Sequence, residues 1–347
     1  MVRNANSSVW LILLTVTSFM LQSCKKETQE KQQTPFQGFV SPDNFPPVVY
    51  KFQDNKVTEA GFELGRRLFY DPMLSLDNTI SCGSCHAQVH GFADHGNRFS
   101  TGIMGKEGVR NSPALFNLAW HPAFMWDGGI NHIEVMPIAP LTASNEMGET
   151  LANIVAKLNT TAKYPALFKN AFGTEEINSQ KILLALSQFM GMMVSSNSKY
   201  DKYLRKEAVF TDDELAGLTL FRQHCETCHK EPLFTDFSYR NNGIGISETD
   251  SGRQGITLDV SDRGKFKVPS LRNIDLTYPY MHDGRLYSLT NVLDHYTDNI
   301  QQSVTLDPLL QKGIAINKKE KQQIISFLRT LTDYVYITDS RFSEPPN

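Results

Sequence analysis

Apolar residues recur three and four positions apart in several stretches of the chain, and each such stretch predicts an amphipathic helix. EAGFELGRRLF, starting at Glu59, and ELAGLTLFR, starting at Glu214, share this spacing and form a weak internal echo. SQKILLALSQFMGMMVSS carries Ile182, Leu186, Phe189 and Met193 on one face, which marks its methionines as core. SLTNVLDHY predicts a helix opened by Ser288, and INKKEKQQIISFLRTL a C-terminal helix capped by Asn317 with Glu320 three positions on. Between these, NNGIGISETDSGRQG reads as a glycine-rich loop and FKVPSLRN as a short extended segment. The expected fold is mainly α, with little strand and two tandem helical domains.

Hydropathy sets the N-terminus apart. Arg3 precedes a twelve-residue apolar run, VWLILLTVTSFM, too short to span a bilayer comfortably. It ends at Leu21-Gln22-Ser23-Cys24, which resembles the lipobox of bacterial lipoproteins and implies lipidation of Cys24. The expected organisation is a signal peptide over 1–24, a flexible tether over 25–50, an N-terminal domain over 51–205 and a C-terminal domain over 206–337, with the boundary in the charged stretch at 200–210. The mature protein would be exported and held in the cell envelope by its lipid, facing the periplasm or the cell surface.

A net charge of -3, with no basic block beyond Lys25-Lys26, removes nucleic acid from the partner classes. The 347 residues suffice for two cores of ordinary size. Of five cysteines, Cys24 is spoken for, and the other four fall into CGSCH and CETCH. Two cysteines separated by two residues and followed by histidine attach a c-type haem: both thiols reach one porphyrin edge and the histidine turns under the iron. Cys82, Cys85 and His86 would hold one haem; Cys225, Cys228 and His229 would hold the other. A zinc site does not need a histidine after each pair, and a thioredoxin-like redox pair needs one motif within a βαβ pattern, which is missing here.

These residues, with LFYDPMLS, GVRNSPALFN, FMWDGG, NEMG, FKVPSLRNIDLTYPYMHDGR and the SLTNVLDHY segment, resemble the bacterial diheme cytochrome c peroxidases and the related diheme enzyme that matures methylamine dehydrogenase. The resemblance covers roughly residues 60–335. It implies a diheme c-type peroxidase: hydrogen peroxide meets the N-terminal haem and is reduced to water, while the C-terminal haem relays electrons from a small donor protein such as a c-type cytochrome. Two other readings stand beside it. One is peroxide-dependent oxidation of residues on a partner protein; the other is a non-catalytic diheme electron carrier. Homodimers are common in the family.

The resemblance also assigns individual residues. Trp126 stands where the family keeps a tryptophan between the haems, and it would serve as relay or as packing. Glu146, 20 residues later, matches the distal glutamate that would move the peroxide proton. Where relatives keep a removable histidine after Ser100-Thr101-Gly102, this chain has Ile103, which cannot ligate iron; His90 and His95 are the nearby alternatives. Met136 replaces the family's usual glutamine. For the second iron, the family's ligand position falls on Tyr296, with His295 and Met281 as alternatives. A calcium ion would be held by the Asn111 side chain and the carbonyls of Thr277 and Pro279, hard neutral oxygen donors.

Overall fold

A computed structural model describes Met1 and residues 35–245 and 249–346. The expected signal peptide, Cys24 and most of the tether lie outside the described residues. Among those described, twelve helices run in the order α1 Glu59–Tyr70, α2 Cys82–Cys85, α3 Ile138–Thr142, α4 Leu151–Asn159, α5 Lys163–Phe172, α6 Ser179–Gly191, α7 Lys199–Leu204, α8 Asp212–His224, α9 Gln254–Thr257, α10 Leu289–Asp298, α11 Lys318–Arg329 and α12 Tyr334–Thr338. One two-stranded antiparallel sheet, β1 Tyr239–Arg240 with β2 Phe266–Lys267, completes the mainly helical fold. Among the described residues, no helix is long and apolar enough to cross a membrane.

Two helix crossings anchor the chain, and each is closed by a glycine from the echoed segments. A Cβ on Gly65 in α1 would lie 1.9 Å from the Ala185 carbonyl oxygen of α6, and one on Gly217 in α8 would lie 2.0 Å from the Gln323 carbonyl oxygen of α11. In each crossing the partner helix sets a phenylalanine beside the contact, Phe189 or Phe327, and the phenylalanine four residues after the glycine, Phe69 or Phe221, is fully buried. The helices begin where predicted: the Ser288 hydroxyl accepts from Asn291 N–H, and Asn317 forms a reciprocal capping box with Glu320.

A longer repeat follows each haem motif. GFAD and LFTD recur, then PALFN and PSLRN, then FMWDG and YMHDG; residues 111–130 and 267–286 align without a gap. Equivalent residues share unusual backbone. Phe92 and Phe234, Asn117 and Asn273, and Met125 and Met281 all have positive φ. The loops closing at Phe124–Ile130 and Tyr280–Leu286 form matching bridges.

The copies exchange contacts. Asn111 N–H donates to the His282 carbonyl at 2.8 Å, and its equivalent, Lys267 N–H, donates to the Trp126 carbonyl at 2.7 Å. Each copy's M-x-D-G loop is thereby fastened to the other copy.

Several boundaries differ from expectation. The segment expected as tether over 25–50 is not free throughout: Phe39, Phe45 and Val48 pack with Phe52 and the buried Trp120, because their aromatic and branched side chains find an apolar surface to cover. Residues 200–210 hold α7, whose Tyr200 joins Phe221, Phe234 and Phe327 in a core and whose Asp201 is paired with the buried Arg272. The end of the chain passes beyond 337 and returns to α1, where Phe342 lies against Phe62 and its carbonyl accepts from the Tyr70 hydroxyl at 2.7 Å. The described residues from Gln37 onward therefore form one compact unit.

Candidate diheme site

At the first motif, Ser81 opens the single turn α2, which carries Cys82 and Cys85, and His86 follows as its C-cap. His86 Nδ1 lies 2.8 Å from the Phe92 carbonyl. A carbonyl can only accept, so Nδ1 holds the proton and Nε2 keeps a lone pair for iron. His229 repeats the arrangement with the Phe234 carbonyl at 3.2 Å and that of Pro269 at 3.1 Å. The positive φ of Phe92 and Phe234 turns these carbonyls toward the rings. Burial lowers both histidine pKa values and so favours the neutral, ligating form.

Among the described residues no disulfide joins Cys82, Cys85, Cys225 or Cys228. Burial pushes Cys82 and Cys225 up to about 12. Two cysteines not joined in a disulfide, beside a neutral imidazole whose Nδ1 is tied to a carbonyl, fit a c-type haem at each motif.

The second motif opens onto a deep cleft lined largely by apolar side chains. Cys225, Cys228 and His229 stand on one wall, and Leu289, Val292, Leu293 and Tyr296 of α10 form the expected inward stripe on another. Met281 lines the same cleft. Asn242 Nδ2 donates to the Tyr296 hydroxyl at 3.3 Å and to Met281 Sδ at 3.2 Å, so the two sequence alternatives meet at one amide. Burial pushes Tyr296 up to about 12, against the lowering effect of the Asn242 hydrogen bond. His295 takes another direction: its Nε2 lies 3.0 Å from the Asn242 carbonyl, and the ring is buried beside that backbone.

At the first site, Ile103 is buried and its N–H donates to the Glu146 carbonyl at 2.8 Å. Gly102 packs so closely that an added Cβ would stand 2.5 Å from the Glu146 carbonyl oxygen. The position aligned with the removable histidine therefore braces the glutamate loop. Glu146 acts electrostatically on both Cys82 and Cys85, raising their pKa values, which places its carboxylate on the first motif's side of the molecule. Although the side chain is exposed, protein atoms around the carboxyl desolvate it and raise its pKa. It does not sit in the first turn of the following helix: α4 starts at Leu151 behind the Thr150 cap, and the buried carboxylate there is Glu149, paired with Lys157 at 2.7 Å.

His90 and His95 stack on each other with ring centroids 3.9 Å apart, and His95 Nδ1 lies 2.9 Å from the Leu276 carbonyl. This fastens His95 to the second copy's backbone. Met136 is buried.

Trp126 lines the second cleft and donates its indole N–H to the Asn111 carbonyl at 2.8 Å. The next residue, Ser112, lines the cleft too, and its hydroxyl meets Ser100 at 2.8 Å. Ser100 in turn hydrogen-bonds the Cys85 thiol. A short covalent and hydrogen-bonded path thus joins the first motif to the wall of the second cleft. Asn111, Thr277 and Pro279 share that wall, and the Asn111 amide nitrogen is directed at the Asn97 and Arg98 carbonyls, 3.2 and 3.3 Å away.

Asn242, the Phe92 and Phe234 carbonyls, and the Lys267 side chain lay beyond the sequence reading. The gapless repeat of residues 111–130 at 267–286 is the signal that would have paired Lys267 with Asn111.

Comparisons with known proteins give the family. A family model described as di-haem cytochrome c peroxidase matches residues 59–209. The methylamine utilization protein MauG of Methylorubrum extorquens is 31% identical over 330 residues, covering 93% of each chain. A cytochrome c551 peroxidase of Nitrosomonas europaea is 34% identical over 276 residues, covering 78% of this chain and 79% of its own. Among solved structures, a MauG-like protein associated with microbial copper homeostasis superposes with a TM-score of 0.84 at 34% identity, over 89% of this chain and 99% of its own. The chain belongs to the di-haem cytochrome c peroxidase family.

Proposed function

We propose that the protein is an exported, lipid-anchored diheme enzyme that reduces hydrogen peroxide at its N-terminal haem and draws the two electrons from oxidisable residues of a partner protein. The observation that carries this reading is the Tyr296 hydroxyl on the wall of the cleft that contains His229. Phenolate donates charge and stabilises oxidised iron, which suits storage of oxidising equivalents better than rapid electron entry. Ile103 supports it, because a chain without the removable histidine needs no reductive activation before peroxide enters.

When bound, the haem iron supplies the Lewis acid and the redox equivalents. The protein's part is positioning and proton movement. His86 and His229 are oriented by the Phe92 and Phe234 carbonyls and offer Nε2 to the metal. Ionised Glu146 takes the proton from the inner peroxide oxygen and returns it to the outer one, so that water leaves. Ile103 and Gly102 hold the Glu146 loop. Trp126, held by Asn111, carries electrons between the two sites. Asn111, Thr277 and Pro279 hold calcium; the donor set is neutral oxygen, which fits that ion with water completing its sphere. In this reading residues 51–205 form the peroxidatic half and 206–337 the electron-transfer half.

A second reading, reduction of peroxide by a small c-type cytochrome, is favoured by Met281, whose thioether lines the same cleft and would raise the potential of the second iron. Mixing the ferric holoprotein with peroxide and then with reduced cytochrome c separates the two. Spectral change on peroxide, followed by cytochrome oxidation far below the usual enzymatic range of about 1–10³ s⁻¹, is expected. Turnover within that range establishes the cytochrome-fed peroxidase. Two low-spin irons that ignore peroxide would leave an electron carrier.

A further inference from the structure

The two copies of the repeat differ at one position in a way that changes what each turn requires. In one copy Asn111 lines the same cleft as Thr277 and Pro279 of the other, and its amide nitrogen is directed at the Asn97 and Arg98 carbonyls. In the other copy the equivalent residue is Lys267, which stands over the equivalent turn 121–123. Its Nζ donates to the Ala123 carbonyl at 2.6 Å, and Ala123 is the counterpart of Pro279. Both residues are fastened through their own N–H to the opposite M-x-D-G loop, at 2.8 and 2.7 Å. Turns at equivalent places in the repeat, 277–279 with its cis Tyr278–Pro279 bond and 121–123 without one, thus face two different side chains.

We propose that Lys267 is a built-in cation: its ammonium fills, over the turn 121–123, the place that Asn111 leaves to a calcium ion over the turn 277–279. The inference rests on the calcium site proposed above. An ammonium offers three donors and a positive charge to converging oxygens, whereas an asparagine oxygen adds one more acceptor and calls for a cation from outside. The neighbourhood of Lys267 agrees. His121, the counterpart of Thr277, is kept neutral there by burial and by the charge of Lys267, and its buried Nδ1 has no hydrogen-bond partner. Burial pulls the Lys267 pKa down to about 8, and Asp127, next to Trp126, acts the other way and favours the charged ammonium. Lys267 accordingly acts as a positioning residue: through its N–H and Nζ it holds both ends of the segment 123–126, which carries Trp126.

The test is a count of calcium per chain in the holoprotein after equilibrium dialysis, with the thermal midpoint recorded with and without EGTA. Wild type is expected to bind one ion. Lys267→Asn recreates the Asn111 arrangement and is expected to bind two. Asn111→Lys is expected to bind none and to keep a midpoint that EGTA does not move. One ion in wild type, in Lys267→Asn and in Asn111→Lys alike overturns the proposal. Zero ions in wild type overturns the calcium site itself. Should Lys267→Asn fail to fold, the Asn111→Lys protein decides, because calcium retained there refutes the substitution of one cation for the other.

Discussion

At the scale of the residue, Glu146 and Arg272 show opposite uses of a charge. Burial raises the Glu146 pKa above 4.5, and in the proposed mechanism the carboxylate form takes the peroxide proton. The rate of reaction with peroxide should therefore fall as pH drops through a midpoint above 4.5. Glu146→Gln should lose about 10²–10⁴-fold of that rate and abolish this limb of the profile. Stopped-flow traces across pH check both; an unchanged midpoint in the glutamine variant removes Glu146 from the proton path. Arg272 is structural. Its guanidinium is fully buried, pairs with both oxygens of Asp201 at 2.8 Å and lies 4.7 Å over the Phe45 ring. Burial opposes the charge on Asp201, but Arg272 more than offsets this, and its pKa is lowered. The stability it contributes is therefore present above 3.8 and lost as pH falls through the lower folded value. Arg272→Met should cost about 3–5 kcal/mol by stranding Asp201, measured by denaturant unfolding at neutral pH. What the sequence showed at this scale was chemistry written in contiguous residues, the two CxxCH motifs above all. Asn242 and Lys267 were hidden because their partners, Tyr296 and Met281 in one case and Ala123 in the other, lie far away along the chain.

At the scale of the element, two glycines fix the depth of the helix crossings. A methyl group at Gly65 or Gly217 meets a backbone carbonyl, which cannot swing aside as a flexible side chain would. Gly217→Ala should separate α8 from α11 and cost about 1–3 kcal/mol, despite the better helix propensity of alanine. A lower thermal midpoint with unchanged haem content is the expected record; a midpoint at or above that of wild type means that α11 can shift without loss. These helices were legible because apolar spacing and caps are local signals, and α1, α6, α8, α10 and α11 stand where periodicity put them. The single turns were not. α2 spans four residues and α9 another four, too short for any period, and their form is imposed by the haem motif and the loop around them.

At the scale of the whole molecule, the tandem arrangement expected from two motifs is interlocked. Each copy lends its M-x-D-G loop to the other, the N-terminal aromatics cover Trp120, and the C-terminal segment returns to the first copy. Sequence order suggested beads on a string because nothing in a one-dimensional pattern reports an exchange between equal segments. The exchange has a mechanical consequence. Tyr336, late in the chain, donates its hydroxyl to the Leu115 carbonyl at 2.7 Å and packs its ring near Phe92, whose carbonyl orients His86. Tyr336→Ala should cost about 3–5 kcal/mol, the scale for deleting a buried aromatic ring, with the stranded Leu115 carbonyl adding to it. The loss should reach the haem held by His86 as fully as the other, although Tyr336 follows the second motif by more than a hundred positions. Unfolding of the wild-type holoprotein, followed by the spectrum of each haem and by far-ultraviolet circular dichroism, should give coincident transitions, and those of the variant should move together to lower denaturant. If the variant shifted only the signal of the haem held by His229, the two halves would be separate folding units, and the contacts that cross between them would carry little of the stability.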